Sequence, residues 1–519
     1  MIFSSYEFIF LFLPVSLFGF FFLSRISHVF AVGWLVFCSM FFYGWWDIRY
    51  VPLFVGSVLF NYVLGTALGR EGGFKPRQKK HVLTAGIAAN LLLLIFFKYT
   101  NFLIENVDDL FSTNIGFIYI TLPLAISFFT FQQIAYLVDA YQGKTREYSL
   151  LHYSLFVSFF PQLIAGPIVH HKEMLPQFGL GINKNIRRHN IVKGMTVFII
   201  GFFKKAVIAD GIAPYSNDMF AAAQSGISLS FFDAWSGALA YTFQLYFDFS
   251  GYADMAIGSA LLFNIRLPIN FNSPYKALSI SDFWRRWHIT LSRFLKDYIY
   301  IPLGGNRRGH TRRYTNMMAT MLIGGIWHGA GWTFLLWGLL HGIYLAINHS
   351  WDAVVKRSAW LMTVRGLPLY KSVAWMITFL SVVVGWVYFR SESFSAANTI
   401  LSGMIGLNGI DLPQGIVSKI PVLQALVLKF NIPTTSGTAV HFSLSYIWIG
   451  TCLLIALLLP NSHEVTRLKW INKENARSNR GFVPVYWAVN RRWAVTLGVI
   501  AALSTLALTR AGEFLYFQF

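Results

Sequence analysis

FIFLFLPVSLFGFFFLS, residues 8–24, is followed after four residues by VFAVGWLVFCSMFFYGWW, residues 29–46, and then by VPLFVGSVLFNYVLGTAL, residues 51–68. An α-helix needs roughly 17 to 25 mostly apolar residues to cross the hydrocarbon of a bilayer, and each of these runs meets that length. The pattern recurs at Val82–Phe97, Ile191–Phe203, Val373–Phe389, Leu444–Leu459 and Trp493–Leu508. With the less clear stretches between them, about 11 to 13 membrane segments are expected, some short enough to be re-entrant. Hydrocarbon offers no water to pair backbone N–H and C=O groups, and the runs are too long for barrel strands, so they read as helices. The predicted fold class is therefore an all-α polytopic membrane protein.

Composition points the same way. Of 519 residues, 55% are hydrophobic, 18% aromatic and only 12% charged, which excludes an ordinary soluble domain. Residues 1–24 carry Glu7, lack a basic leader and a small-residue cleavage site, and run directly into further spans, so they read as a first transmembrane helix and not a signal peptide. Cys38 and Cys452 both lie inside apolar runs, which argues against a disulfide framework or a thiolate metal site.

The excess of 42 basic over 22 acidic residues is the positive-inside bias of a polytopic protein, and no nucleic-acid partner is expected. The basic residues concentrate in Arg70–Lys80, Arg285–Arg313 and Arg467–Arg492, which are expected on the cytoplasmic side. Three spans precede the first stretch and one follows the last, so both termini are expected outside the cytoplasm. The Pro/Gly/Thr-punctuated segment Gly406–His441 is expected as an extracytoplasmic loop, with an interfacial helix around Ile420–Leu428. The chain shows no internal repeat and no low-complexity tract.

An ionisable residue inside a membrane is costly and is a functional candidate by default. SDFWRRWHITLSRFLKDYIY, residues 281–300, reads at 100° per residue as one interfacial helix. Trp284, Arg285 and His288 share one face, beside a mostly basic one. The loop that follows, IPLGGNRRG at 301–309, offers backbone N–H groups with Arg307 and Arg308 for the phosphates of a pantetheine-type donor, and is equally what any basic turn looks like. In the next apolar segment, His328 stands between Trp327 and Gly329, and His341 repeats the His-Gly pair. Removal from water favours a neutral imidazole, the form a general base needs. Asp248 and Asp254 read as ion-pair partners within the membrane, and Lys204, Lys205 and Asp210 as a helix end at the interface. His170, His171 and Glu173 have no recognised metal-ligand spacing, and no metal is expected.

Many segments in order resemble the membrane-bound O-acyltransferases, in particular the bacterial alginate O-acetyltransferase-like branch with its cellulose-acetylating relatives. They are FFYGWW at 41–46, KYTNF at 98–102, LPLAISF at 122–128, YLVDAYQG at 136–143, PQLIAGP at 161–167, LYFDFSGY at 245–252, FWRRWH at 283–288, WHG at 327–329 and GWVYFR at 385–390. The resemblance implies one membrane-embedded acyltransferase domain over residues 1–519, with a catalytic core over about 90–350 and additional spans over about 373–519. It further implies a helical bundle with a central tunnel and cytoplasmic interfacial helices, in the bacterial cytoplasmic (inner) membrane. His328 matches the family's membrane histidine, and His288 its second catalytic position.

No tightly bound cofactor is implied. The donor is an acyl thioester, acetyl-CoA or a phosphopantetheine carrier, held by Trp284, Arg285, Trp327, Gly329, Arg307 and Arg308. The implied partners are membrane lipid, a secreted or periplasmic acetyltransferase and the polysaccharide synthesis machinery, with alginate or cellulose as the acetylated polymer. In this scheme His328 deprotonates an acceptor hydroxyl and His288 offers an N–H to the oxyanion. D-alanyl transfer to teichoic acid is the alternative within enzymes. A transporter would call for two halves with matching broken helices, and these are not seen.

Overall fold

The computed structural model of the chain describes every residue except 71, 73, 146–148, 165, 180–184, 308, 431, 436–438, 469–484, 509–514 and 516–519. The described residues are almost entirely helical; their only sheet is a parallel pair of two-residue strands, Leu412–Pro413 with Thr434–Thr435. By length and composition, five described helices suffice to cross a membrane: Glu7–Ser24, Ile48–Gly69, Pro76–Phe111, Pro368–Arg390 and Ala439–Leu458. The other apolar runs form shorter helices, His28–Gly44, Arg188–Phe203 and Arg491–Ala507. A helix occupies the place expected for one after Ile420, at Pro421–Phe430.

The bundle is assembled around the Phe231–Leu262 helix, which is buried at every position from Ala240 to Leu262. The Ser230 side chain accepts from Asp233 N–H at its start. At its end Asn264 turns into the left-handed region (φ 64°), and Ile265 N–H reaches back to the Ala260 carbonyl. The Arg188–Phe203 helix lies against it through two glycine pairs, Gly194 with Gly258 and Gly201 with Gly251. A Cβ added at Gly201 would sit 2.5 Å from the Gly251 carbonyl oxygen, and one at Gly251 would sit 2.7 Å from that of Gly201. Only glycine permits this approach of two backbones.

Lys204, Lys205 and Asp210 do not end a helix as the sequence suggested. They lie in a continuous path in which the π-turn Lys204–Ala209 joins Arg188–Phe203 to Asp210–Gln224. The extra residue per turn aims both ammonium groups at the central helix. Lys204 pairs with Asp254 at 2.7 Å, and Lys205 pairs with Asp210 at 2.7 Å and Asp248 at 2.8 Å. Buried charges are thereby compensated within the bundle, as expected of Asp248 and Asp254.

The stretch 281–300 is not one helix. It divides into Ile280–Arg286, Ile289–Leu295 and a π-turn Lys296–Tyr300, with Trp287 extended and His288 left-handed at φ 42° and ψ 54°. The break is satisfied from outside. Asn272 N–H donates to the Arg286 carbonyl at 2.9 Å, and Ile289 N–H donates to the Asn270 carbonyl at 3.0 Å.

Gly251→Ala is expected to lower the thermal unfolding midpoint in detergent by the equivalent of about 1–3 kcal/mol of overpacking. Gly450→Ala, where a Cβ meets nothing within 4 Å, should not lower it. Equal midpoints for the two variants would remove the glycine crossing as a determinant of the bundle.

Candidate active site

His328 is the last residue of the Gly309–His328 helix. The chain turns through Gly329–Gly331 and returns as the Trp332–Val355 helix. The two cross where a Cβ on Gly338 would sit 2.5 Å from the Met321 carbonyl oxygen, so this pair is pressed backbone to backbone. Gly329 is needed for the turn itself, because a Cβ there would overlap the Phe334 ring.

A helix end leaves carbonyls without donors, and in a membrane those must be satisfied by protein. Here the Pro76–Phe111 helix supplies them. Lys98 Nζ donates to the Trp327 carbonyl at 2.7 Å and the His328 carbonyl at 2.8 Å, and Tyr99 Oη donates to the Ile326 carbonyl at 2.6 Å. The ammonium also opposes the negative end of the helix dipole. No carboxylate partner for Lys98 occurs among the described residues.

The His328 imidazole is 5% exposed and sits in an aromatic cage. Ring centroids lie 4.9 Å away at Trp327, 5.1 Å at Trp337 and 5.1 Å at Phe389. The His288 ring lies 6.3 Å from Trp327. The Trp337 ring leads on to Trp284 at 5.8 Å and to His341 at 4.9 Å, and Trp284 Nε1 donates to His341 Nδ1 at 3.3 Å. Neutral His341 therefore carries its hydrogen on Nε2. The indole N–H groups of Trp327 and Trp337 are buried and have no partner among the described residues. Buried donors of this kind call for a ligand or a water.

The structure thus brings together His328, Trp327, Gly329, His288 and, one ring further, Trp284. Arg285 is exposed. Arg307 is exposed and precedes the Gly309–His328 helix, whose first residue lies about 28 Å from His328 at 1.5 Å per residue. Arg308 lies outside the described residues, as does the middle of the basic stretch Arg467–Arg492. Trp337, Asn270 and the clamp by Lys98 were missed by the sequence reading. Lys98 carried a signal: it is an ammonium at the end of the apolar run Val82–Phe97, and the membrane cost of a charge marks it.

Lys98→Ala is expected to reduce acyl transfer by about 10- to 100-fold, as removal of a group that holds a site residue in place does. Lys98→Arg should retain part of it. The check is acetyl ester formed per unit of protein in membranes with matched expression; unchanged transfer in Lys98→Ala would show that the clamp is dispensable.

Residues 144–389 match the profile of the membrane-bound O-acyltransferase family. The chain is 45% identical over 507 residues to the peptidoglycan O-acetyltransferase of Helicobacter pylori, covering 92% of this chain and 93% of that one. It is 40% identical over 447 residues to the "Probable alginate O-acetylase AlgI" of Pseudomonas aeruginosa, covering 83% and 81%. A teichoic acid D-alanyltransferase of Bacillus subtilis is more distant, 29% identical over 280 residues, covering 52% of this chain. By this family match, these relatives and its membrane helices, the chain is a multi-pass membrane acyltransferase and belongs to the membrane-bound O-acyltransferase family.

Proposed function

We propose that the protein moves an acetyl group from a cytoplasmic thioester donor, acetyl-CoA or a phosphopantetheine carrier, across the bacterial inner membrane for O-acetylation of peptidoglycan. The observation that carries the mechanism is His328, water-excluded at the end of a membrane helix, with buried indole N–H groups around it. The acceptor is favoured by the 45% identity, nearly end to end, to a peptidoglycan O-acetyltransferase. A second reading, an alginate-type exopolysaccharide, is supported by 37% identity over the whole of both chains to the "Probable alginate O-acetylase AlgI" of Pseudomonas putida.

In the reaction, His328 takes the proton of an acceptor hydroxyl as its oxygen bonds to the thioester carbonyl carbon. The oxyanion that forms needs donors already in place, and the indole N–H groups of Trp327 and Trp337 are available to it. Collapse breaks the C–S bond. The thiolate, with a reference pKa of roughly 8.5, needs little acid assistance and takes the proton back from the imidazolium. His288 is the second catalytic group. Trp284 and Gly329 border the acyl end, while Arg285, Arg307 and Arg308 are assigned to donor phosphates at the basic face. Positive-inside bias puts that face in the cytoplasm and both termini outside, which suits delivery to a secreted or periplasmic acetyltransferase and the polysaccharide machinery.

His328→Ala and His288→Ala are each expected to lower the O-acetyl ester content of purified peptidoglycan by about 100-fold or more at matched membrane expression. Normal acetylation in His328→Ala would sink the assignment; a loss confined to secreted exopolysaccharide would move the acceptor to the second reading. General-base chemistry also predicts that rapid acid quench in the presence of labelled acetyl donor traps no acyl group on His328. A trapped acyl-imidazole, located by peptide mass spectrometry, would replace the base mechanism with a covalent one.

A further inference from the structure

Behind His288 lies Asn270, fully buried, in the link between the Phe231–Leu262 and Ile280–Arg286 helices. Its side-chain oxygen accepts from Thr290 Oγ1 at 2.9 Å and from the Thr290 main-chain N–H at 3.3 Å, and lies 3.1 Å from His288 Nδ1. A main-chain N–H can only donate, so the atom it meets is the amide oxygen, and the usual ambiguity of an asparagine flip is removed. An amide oxygen can only accept. His288 Nδ1 must then carry a hydrogen, and the neutral ring has its lone pair on Nε2, the nitrogen turned away from Asn270.

The same asparagine holds the backbone that presents the ring. A left-handed non-glycine residue such as His288 persists only where its surroundings over-determine it. Here Ile289 N–H is held by the Asn270 carbonyl, and Thr290 is held by the Asn270 side chain. The imidazole packs edge-on against Phe249 with centroids 4.8 Å apart, which leaves little room for a ring flip. The Asn270 amide group turns its other side toward a small polar cavity lined by Ser250, Asp254, Lys204 and His463, where its Nδ2 has no partner among the described residues.

We propose that Asn270 is a positioning residue for the acyl transfer, setting the tautomer of His288 so that Nε2 serves as a hydrogen-bond acceptor. This rests on the reading of His288 as the second catalytic group, and it changes that group's part. Neutral His288 accepts through Nε2 from a donor of the bound substrate other than the hydroxyl whose proton His328 takes, and it would donate to an oxyanion through Nε2 only when protonated. The oxyanion is then left to other donors.

The test uses the full-length protein, purified in nanodiscs with 15N-labelled histidine, and the acetylation of peptidoglycan in cells. The His288 signals, identified by their disappearance in His288→Gln, should show a hydrogen on Nδ1 and none on Nε2. Asn270→Asp should keep that tautomer, because a carboxylate also accepts from Nδ1. Asn270→Ala should lose it and lower acetylation by about 10- to 100-fold, with Asn270→Asp recovering part of the loss. If Asn270→Ala fails to fold, the wild-type and Asn270→Asp spectra still decide. A hydrogen on Nε2 in the wild type would overturn the proposal, as would full acetylation in a folded Asn270→Ala that has lost the tautomer. Wild-type acetylation in His288→Gln would instead overturn the reading of His288 on which the proposal rests.

Discussion

An ammonium group on the carbonyl oxygens that end one membrane helix is the contact on which the site depends. Lys98 meets the Trp327 and His328 carbonyls, and Tyr99 meets that of Ile326. A helix that stops inside a membrane must have its last carbonyls paired, and a protein donor is the only one on offer away from water. By supplying that donor, the Pro76–Phe111 helix lets the His328 helix end where it does and puts an imidazole at the end of a stiff rod. The same contact joins an early part of the chain to a late one, so the site exists only when the whole bundle has assembled.

The remaining polar groups obey the same rule. Lys204 and Lys205 are matched by Asp254, Asp248 and Asp210, and the π-turn between two helices gives the register that brings them opposite. Glycines at Gly194, Gly201, Gly251 and Gly258 let the central helix come close enough for those pairs to form. The break at His288 is paired from the Asn270–Asn272 segment. In each case an irregularity of the helix is paired by a neighbour, and each irregularity turns a polar side chain inward. Function and helix disruption coincide here because a regular helix would leave these side chains facing its own neighbours along the rod.

Aromatic rings complete the arrangement. Trp327, Trp337 and Phe389 come from three different helices or helix ends and enclose His328, while Trp284, Trp386 and His341 extend the cage. Gly385 permits this by leaving room for the His341 ring, whose Nε2 would lie 3.0 Å from a Cβ there. Such a cage excludes water and strengthens any electrostatic interaction with a developing charge.

The amino-acid sequence by itself determined that the chain is a helical membrane protein and where most helices run, and with the family resemblance it made His328 and His288 candidates. Those properties are local: apolar length decides insertion, and a buried imidazole between glycine and tryptophan is visible in a short window. The span Val82–Phe97 was legible, but not its extension to Pro76–Phe111, because beyond the hydrocarbon a helix is sustained by packing and not by apolarity. The 281–300 stretch was read as one helix because its periodicity is helical throughout; the break at His288 comes from hydrogen bonds to Asn270 and Asn272, which no local window contains. The clamp by Lys98, the placing of Trp337 beside His328, and the tautomer of His288 were likewise decided only by the tertiary structure. Lys98 and His328 are 230 residues apart and Asn270 and His288 are 18 apart, while Trp337, nearer in sequence, reaches His328 across the turn between two helices; such partners are chosen by how helices pack.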